Sequence, residues 1–346
     1  MGKVWTIDTN TNPGLRDWKI GIDCSVDLEK GKAMGARISF DRHIHIANET
    51  RTNGILNQLG YADINEQTLN EIVNNKKLQW IQISDCLPDK AYQKIDQILS
   101  MRPDITFRLF HFLHNDEVDI SFLTNMFHVK KLQIDCIDFR SNPKRINLSV
   151  LAELNLKSLR MECFDLRDYE FIQNLSDKLE ELSIMADTMG SGVRFDCTWL
   201  LKYKNLQTLW LGKKAKKNIE CIRQLPNLRS LSLRGIKLTD FLFLRQLNLK
   251  KLALLWNSNS NLHELAELMS LKEIELWRIN KLSDISFLEK LTNLEIIKLQ
   301  DLKHVTCLPD LSKCGNLQRI FLIGTGVDTK ELPDYLREKV SNWDDR

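Results

Sequence analysis

The sequence predicts an α/β solenoid, with a parallel sheet on its concave face and short helices or 3₁₀ turns on its convex face. Three observations predict it. A phrase of alternating apolar residues recurs, as in Leu206-x-x-Leu209-x-Leu211, Leu228-x-x-Leu231-x-Leu233 and Leu249-x-x-Leu252-x-Leu254. From Val129 to Leu317 its start-to-start spacings run 27, 23, 27, 22, 21, 22, 23 and 23 residues. An Asp or Asn stands about ten residues ahead of most later phrases, as in Asp240-x-x-Phe243-Leu244 and Asp284-x-x-Phe287-Leu288. The alternation suits a strand with one buried face. One such strand cannot bury that face alone, so a regular period implies stacked strands sharing a continuous core.

Taken in chain order, residues 1–73 are the least regular and are expected to cap the open end of the core, the alternative being a small separate module with an activity of its own. Val4–Ile7, Trp18–Ile22 and Ala36–Phe40 are expected as short strands, His43–Ile46 as a degenerate first repeat strand and Ile64–Val73 as a helix with Leu69, Ile72 and Val73 inward. Residues 74–326 form the solenoid of about ten to eleven repeats, from the phrase at Leu78 to the phrase at Leu317, with Ile105–Leu109 as an off-register strand. The Asp/Asn column supplies N-caps, because a side-chain oxygen there accepts from the free N–H groups of a short helical turn. The apolar pair after each cap plugs the interior. Residues 327–346 form a C-terminal cap: Asp328–Val340 is expected as one helix with Leu332, Leu336 and Val340 on a single face, and Trp343 closes it.

The phrase and its period resemble the leucine-rich-repeat superfamily, and Asp284-Ile-Ser-Phe-Leu288 is most similar to internalin-type repeats, whose convex side is rich in 3₁₀ turns. The asparagine that many such families place three residues after the last strand leucine is present only as Asn257; the same position elsewhere holds Cys86, Ile236, Ile279, Leu302 and other residues. The resemblance implies a non-catalytic scaffold that binds a protein or peptide on its concave sheet. It also permits a bacterial effector or toxin-neutralising protein built on the same repeats.

Composition narrows the chemistry. The chain has 346 residues, 43% of them apolar, enough for a large core. A net charge of +3 does not call for a polyanionic partner, which argues against nucleic acid. No apolar run is long enough to span a membrane, and the first residues carry no apolar signal core, so a cytoplasmic protein is expected. The eight cysteines form no C-x-x-C pair and fall in apolar slots, which suits a reducing compartment. Phosphate-binding loops, nucleophile elbows and zinc-protease motifs are absent, so no enzyme activity and no cofactor is expected. His43 with His45, and His111 with His114, supply two ligands each without a third at metal spacing, and packing is the plainer reading. The basic run Lys213–Lys217 could meet an acidic surface or nucleic acid, but it lacks interleaved aromatics.

Alternation also assigns the residues that face away from the core. The middle outward column reads Gln82, Arg108, Gln133, Arg160, Ser183, Trp210, Ser232, Ala253, Glu275, Lys298 and Phe321. The next reads Ser84, Phe110, Asp135, Glu162, Met185, Gly212, Arg234, Leu255, Trp277, Gln300 and Ile323. The first half is polar and the second half aromatic. Because aromatics and arginine dominate binding hot spots, the expected partner site is Trp210, Arg234, Leu255, Glu275, Trp277, Lys298, Phe321 and Ile323, all presented to solvent.

Overall fold

The structure, a computed structural model, describes residues 42–52, 57–110, 112, 119–136, 147–163, 166–186 and 192–341. The expected strands before residue 41, the pair His111 and His114 and the closing Trp343 lie outside the described residues. The chain divides into two compact units, 1–163 with 174–176 and 164–173 with 177–346.

In the first unit the strands are β1 (His43–Ala47), β2 (Arg51–Thr52), β3 (Asn57–Gly60), β4 (Trp80–Ile83), β5 (Thr106–Phe110), β6 (Lys131–Cys136) and β7 (Ser158–Cys163). β1, β4, β5, β6 and β7 pair in parallel and in that order, with Ile44, Ile81, Phe107, Leu132 and Leu159 in one register. His43–Ile46 is therefore a true repeat strand. β3 adds to the other side of β1 in parallel, and β2 pairs with β3 antiparallel. Helix α1 (Glu66–Asn74) starts where Asn65 accepts the Thr68 N–H at 2.9 Å. It buries Ile72 fully and leaves Leu69 and Val73 half-buried. Helix α2 (Asp89–Met101) buries Ala91, Tyr92, Ile95, Ile98 and Leu99, the i, i+4, i+7 stripe of a core-facing helix. Cys136 and Cys163 are backbone partners at the ends of β6 and β7.

In the second unit the strands are β8 (Glu181–Ile184), β9 (Thr208–Gly212), β10 (Ser230–Arg234), β11 (Lys251–Leu255), β12 (Glu273–Trp277), β13 (Ile296–Gln300) and β14 (Arg319–Ile323), all parallel and paired in sequence order. Leu231, Leu252, Ile274, Ile297 and Ile320 align across them, as the leucine phrase requires. Opposite the strands run 3₁₀ turns, Cys197–Lys202, Ile219–Gln224, Leu242–Gln246, His263–Glu267 and Ser286–Lys290. Each unit thus has the leucine-rich-repeat architecture, and the second is rich in 3₁₀ turns.

The capping column is physical. Asp119, Asp168, Asp196, Asp240, Asn261, Asp284, Asp310 and Asp328 each accept the backbone N–H two residues on, at 2.8–3.0 Å. Asn147 and Asn218 depart from it: neither makes a side-chain cap bond. Asn218 is left-handed instead and donates its amide to both oxygens of Asp196. Burial alone would raise the Asp196 pKa, but those donations, with those of Thr198 and Lys217, hold its carboxyl well below the usual range.

The expected single C-terminal helix is corrected. Asp328–Val340 holds a 3₁₀ turn, Thr329–Glu331, and a short helix α3 (Asp334–Arg337). Pro333 separates them: it has no N–H to donate and disfavours helical backbone at the residue before it. Leu332 and Leu336 are still buried, and Val340 bridges to Ile320 on β14.

Candidate functional site

The outward columns of the second unit have the register that the alternation predicts. Trp210, Ser232, Ala253, Glu275, Lys298 and Phe321 align in one row, and Gly212, Arg234, Leu255, Trp277, Gln300 and Ile323 in the next. The expected exposure is corrected. Trp210, Leu255, Trp277 and Phe321 are buried, Trp277 completely at 0% exposure. Arg234, Glu275, Lys298 and Ile323 are half-buried. Strands about 4.8 Å apart put the side chains of one column in contact, so a large side chain there is covered by its column neighbours. Trp210 has Ser183 and Ser232 as column neighbours, small residues that leave width for an indole. Lys298 is committed to Glu273 at 2.6 Å, and Lys251 meets the same carboxylate at 2.9 Å. Burial would raise the Glu273 pKa, but the Lys298 and Lys251 ammoniums outweigh it and hold the carboxyl below its ordinary value.

The exposed aromatic lies one residue beyond the strand. Gly235, Trp256, Arg278, Asp301 and Gly324 each follow their strand directly, and each has a left-handed φ between 51° and 63°. The N–H groups of the first four extend the ladder, donating to the carbonyls of Leu255, Trp277, Gln300 and Ile323 at 2.7–3.0 Å. Glycine fits this conformation freely, whereas each L residue in it costs roughly 1 kcal/mol or more. Three successive repeats accept that cost.

Their side chains form one cluster. Trp256, 38% exposed, meets Trp277 edge to face at 5.7 Å between ring centroids. Arg234 and Arg278 place their guanidinium carbons 4.6 and 4.9 Å from the centre of the Trp256 ring. Asp301 accepts from the Trp277 indole N–H at 2.7 Å and from Arg278 Nε at 3.0 Å. A buried indole thus supports an exposed one, a carboxylate fixes the support, and two guanidiniums flank the ring. The cluster combines two guanidiniums with one carboxylate. The leucine phrase does not mark Trp256, Arg278 or Asp301; the signal for them is that glycine holds the same position in the flanking repeats, at 235 and 324.

The turn Lys213–Lys217 leaves β9 on the same edge. Lys217 pairs with Asp196 at 3.1 Å, while Lys213 and Lys216 are exposed. In the first unit the outward face is polar and buried. Arg108 donates to Gln82 at 3.1 Å and to Asp135 in a buried ion pair, and Gln133 has 0% exposure. His43 and His45 have pKa values lowered to about 4, first by burial and then by the Arg108 charge. Among the described residues no three His, Cys, Asp or Glu side chains come together to hold a metal, and no helix is long and apolar enough to cross a membrane.

No protein-family model and no curated protein sequence matches the chain. Among solved structures, internalin C2 from Listeria monocytogenes is similar at 24% identity and a TM-score of 0.44, over 58% of this chain and 86% of its own. The functional domain of InlJ from the same organism is 14% identical with a TM-score of 0.42, over 78% of this chain and 63% of its own. A leucine-rich-repeat protein of Leptospira interrogans is 18% identical with a TM-score of 0.35, over 76% and 88%. The fold assignment rests on the strand register and the helical turns described above.

Proposed function

We propose that the protein is a non-catalytic recognition scaffold whose second unit holds a protein or peptide partner at the strand-exit edge, centred on Trp256. Repeat scaffolds of this architecture support protein interaction in general. The observation that carries the narrower reading is the exposed Trp256, kept in a left-handed conformation over buried Trp277 and between two guanidiniums. Tryptophan and arginine are the residues that most often dominate binding energy. An anchor already held in one conformation loses little entropy when a partner arrives. Backbone strain kept in three successive repeats is characteristic of sites with a task beyond folding.

The expected site shifts accordingly. Arg234 and Trp277 remain in it, Trp277 as support rather than contact, and Trp256, Arg278 and Asp301 join them. Trp210, Leu255 and Phe321 are packing residues in this reading. An effector or toxin-neutralising role would use the same edge. The free thiols of Cys197 and Cys221 support a reducing, cytoplasmic setting: burial pushes the Cys221 pKa up to about 11 and that of Cys197 higher, which keeps both protonated and inert.

The test is photo-crosslinking from a probe placed at residue 278, with capture compared between the native chain and Trp256→Ala. A partner that crosslinks at the edge and is lost with Trp256 supports the reading. A partner captured equally by a folded Trp256→Ala variant sinks it.

A further inference from the structure

Counted from the start of its phrase at Val129, Cys136 takes the place that Trp256 takes from Leu249, and Cys163 takes the same place from Leu156. Two successive repeats of the first unit thus carry a cysteine at the strand exit. The ladder brings the two together. β6 and β7 pair in parallel from Lys131 opposite Ser158 to Cys136 opposite Cys163, the last rung of both strands. The other cysteines among the described residues, Cys86, Cys197, Cys221, Cys307 and Cys314, lie outside the strands. Neighbouring strands run about 4.8 Å apart, inside the roughly 4.4–6.8 Å that a disulfide spans between Cα atoms. Residues on one rung of a parallel pair share a face of the sheet, so no change of register is needed. The two Cβ atoms must still approach to about 3.8 Å, and β6 and β7 share no further rung to resist that approach.

We propose that Cys136 and Cys163 are a redox-sensitive clasp: a dithiol in reducing surroundings, and a disulfide when a small-molecule disulfide such as oxidised glutathione accumulates. The exchange has two steps. One cysteine thiolate attacks a sulfur of the small disulfide, whose S–S bond breaks; a mixed disulfide forms and one small thiol leaves. The second cysteine thiolate then attacks the protein sulfur of that mixed disulfide and expels the second small thiol. Two protein thiols are oxidised, one small disulfide is reduced, and the two cysteine protons pass to the departing thiolates. A bond made across a slightly wide rung is strained, and strained disulfides are the readily reduced ones, so the clasp reopens when reducing conditions return. Closure joins two successive repeats and restricts the unfolded chain, which stabilises the folded one. The clasp stands independently of the recognition edge, which lies on other strands.

The test uses the full, unaltered chain, incubated folded with oxidised glutathione, blocked with N-ethylmaleimide, cut with trypsin and read by mass spectrometry. Cleavage after lysine and arginine releases peptides 132–140 and 161–167, each with a single cysteine. The expected product is these two joined, two hydrogens lighter than their sum, in most of the folded chains. Two of the eight cysteines are then lost to alkylation, and dithiothreitol restores them. The same treatment of the urea-unfolded chain is expected to give far less of the joined product. The unfolding midpoint of the oxidised chain should rise and fall back on reduction, and Cys136→Ser/Cys163→Ser should show no such shift. If that variant fails to fold, the oxidised and reduced native chains supply the comparison by themselves. Recovery of the two peptides only as separate alkylated or glutathione-bound species overturns the proposal, as does an equal yield of the joined product in urea. A link that forms without moving the midpoint would be a bystander modification and would equally remove the clasp.

Discussion

The two units build the same strand ladder and dress its outward face in opposite ways. In the first, the row His45, Gln82, Arg108 and Gln133 is polar and buried, closed by the Arg108–Asp135 pair. In the second, the corresponding rows bury Trp210, Leu255, Trp277 and Phe321 beside half-buried Arg234, Glu275 and Lys298. The difference teaches that a repeat phrase sets where a side chain starts, whereas its neighbours in the column set whether it reaches water. A buried polar row specifies geometry and is costly when broken. A buried aromatic row supplies apolar burial and a firm base for whatever sits at its edge.

Four measurements can break or sharpen this contrast. Trp277→Ala should be the most damaging change in the second unit, lowering unfolding free energy by about 3–5 kcal/mol in urea titration. A loss under about 1 kcal/mol would mean the indole is not a core residue. In the first unit, Arg108→Leu should cost about 3–5 kcal/mol because it strands the Asp135 carboxylate, and Arg108→Leu/Asp135→Leu should recover much of that. A double variant no better than the single one would show that the pair holds more than each other's charge.

The pH response should separate the units next. His43 and His45 have folded pKa values of about 4 against 6.5 for the ordinary histidine. The unfolded chain then binds more protons between those limits, so their contribution is fully present above pH 6.5 and is lost as pH falls toward 4. The loss should be on the order of 2 kcal/mol after allowance for partial exposure, and His43→Gln/His45→Gln should flatten it. A native chain whose stability is level across that window would contradict the buried, neutral state of the two rings. The smallest effect is expected at Trp256→Gly. Relief of the left-handed strain should offset the lost ring contacts, leaving stability within about 1 kcal/mol of native while partner capture falls. A large destabilisation would make Trp256 a structural residue.

Much of the fold is legible in the sequence because its signals are local. Leu231 and Leu252 announce their strands by spacing, and Asp240 and Asp284 announce the turns by the hydrogen bonds they can accept. Exposure is not local. Nothing in the phrase around Trp277 shows that Trp256 covers it, since that contact depends on how two repeats stack. The left-handed exits are hard to read for a related reason: tryptophan and arginine are poor markers of positive φ, and Gly235, Asp301 and Gly324 at the same position disclose the column. The helix expected over Asp328–Val340 fails at Pro333, where a fixed ring outweighs a well-placed apolar stripe.

The left-handed column separates the path of the main chain from the identity of the side chain. Glycine, tryptophan, arginine, aspartate and glycine occupy it with the same backbone angle, and from Gly235 to Asp301 with the same bond to the next strand. Each exit is therefore a socket into which a different plug fits, and neighbouring sockets lie one strand spacing, about 4.8 Å, apart. They are not all open. A Cβ at Gly235 would come no closer than 3.4 Å to a neighbour, the Lys213 side chain, whereas one at Gly324 would come within 2.9 Å of Asp301 Oδ1. Moving the indole from 256 to 235 would carry the contact one step along the edge with the backbone unmoved. The indole's place can thus shift by one strand spacing toward β10, whereas the Asp301 carboxylate crowds the exit of β14.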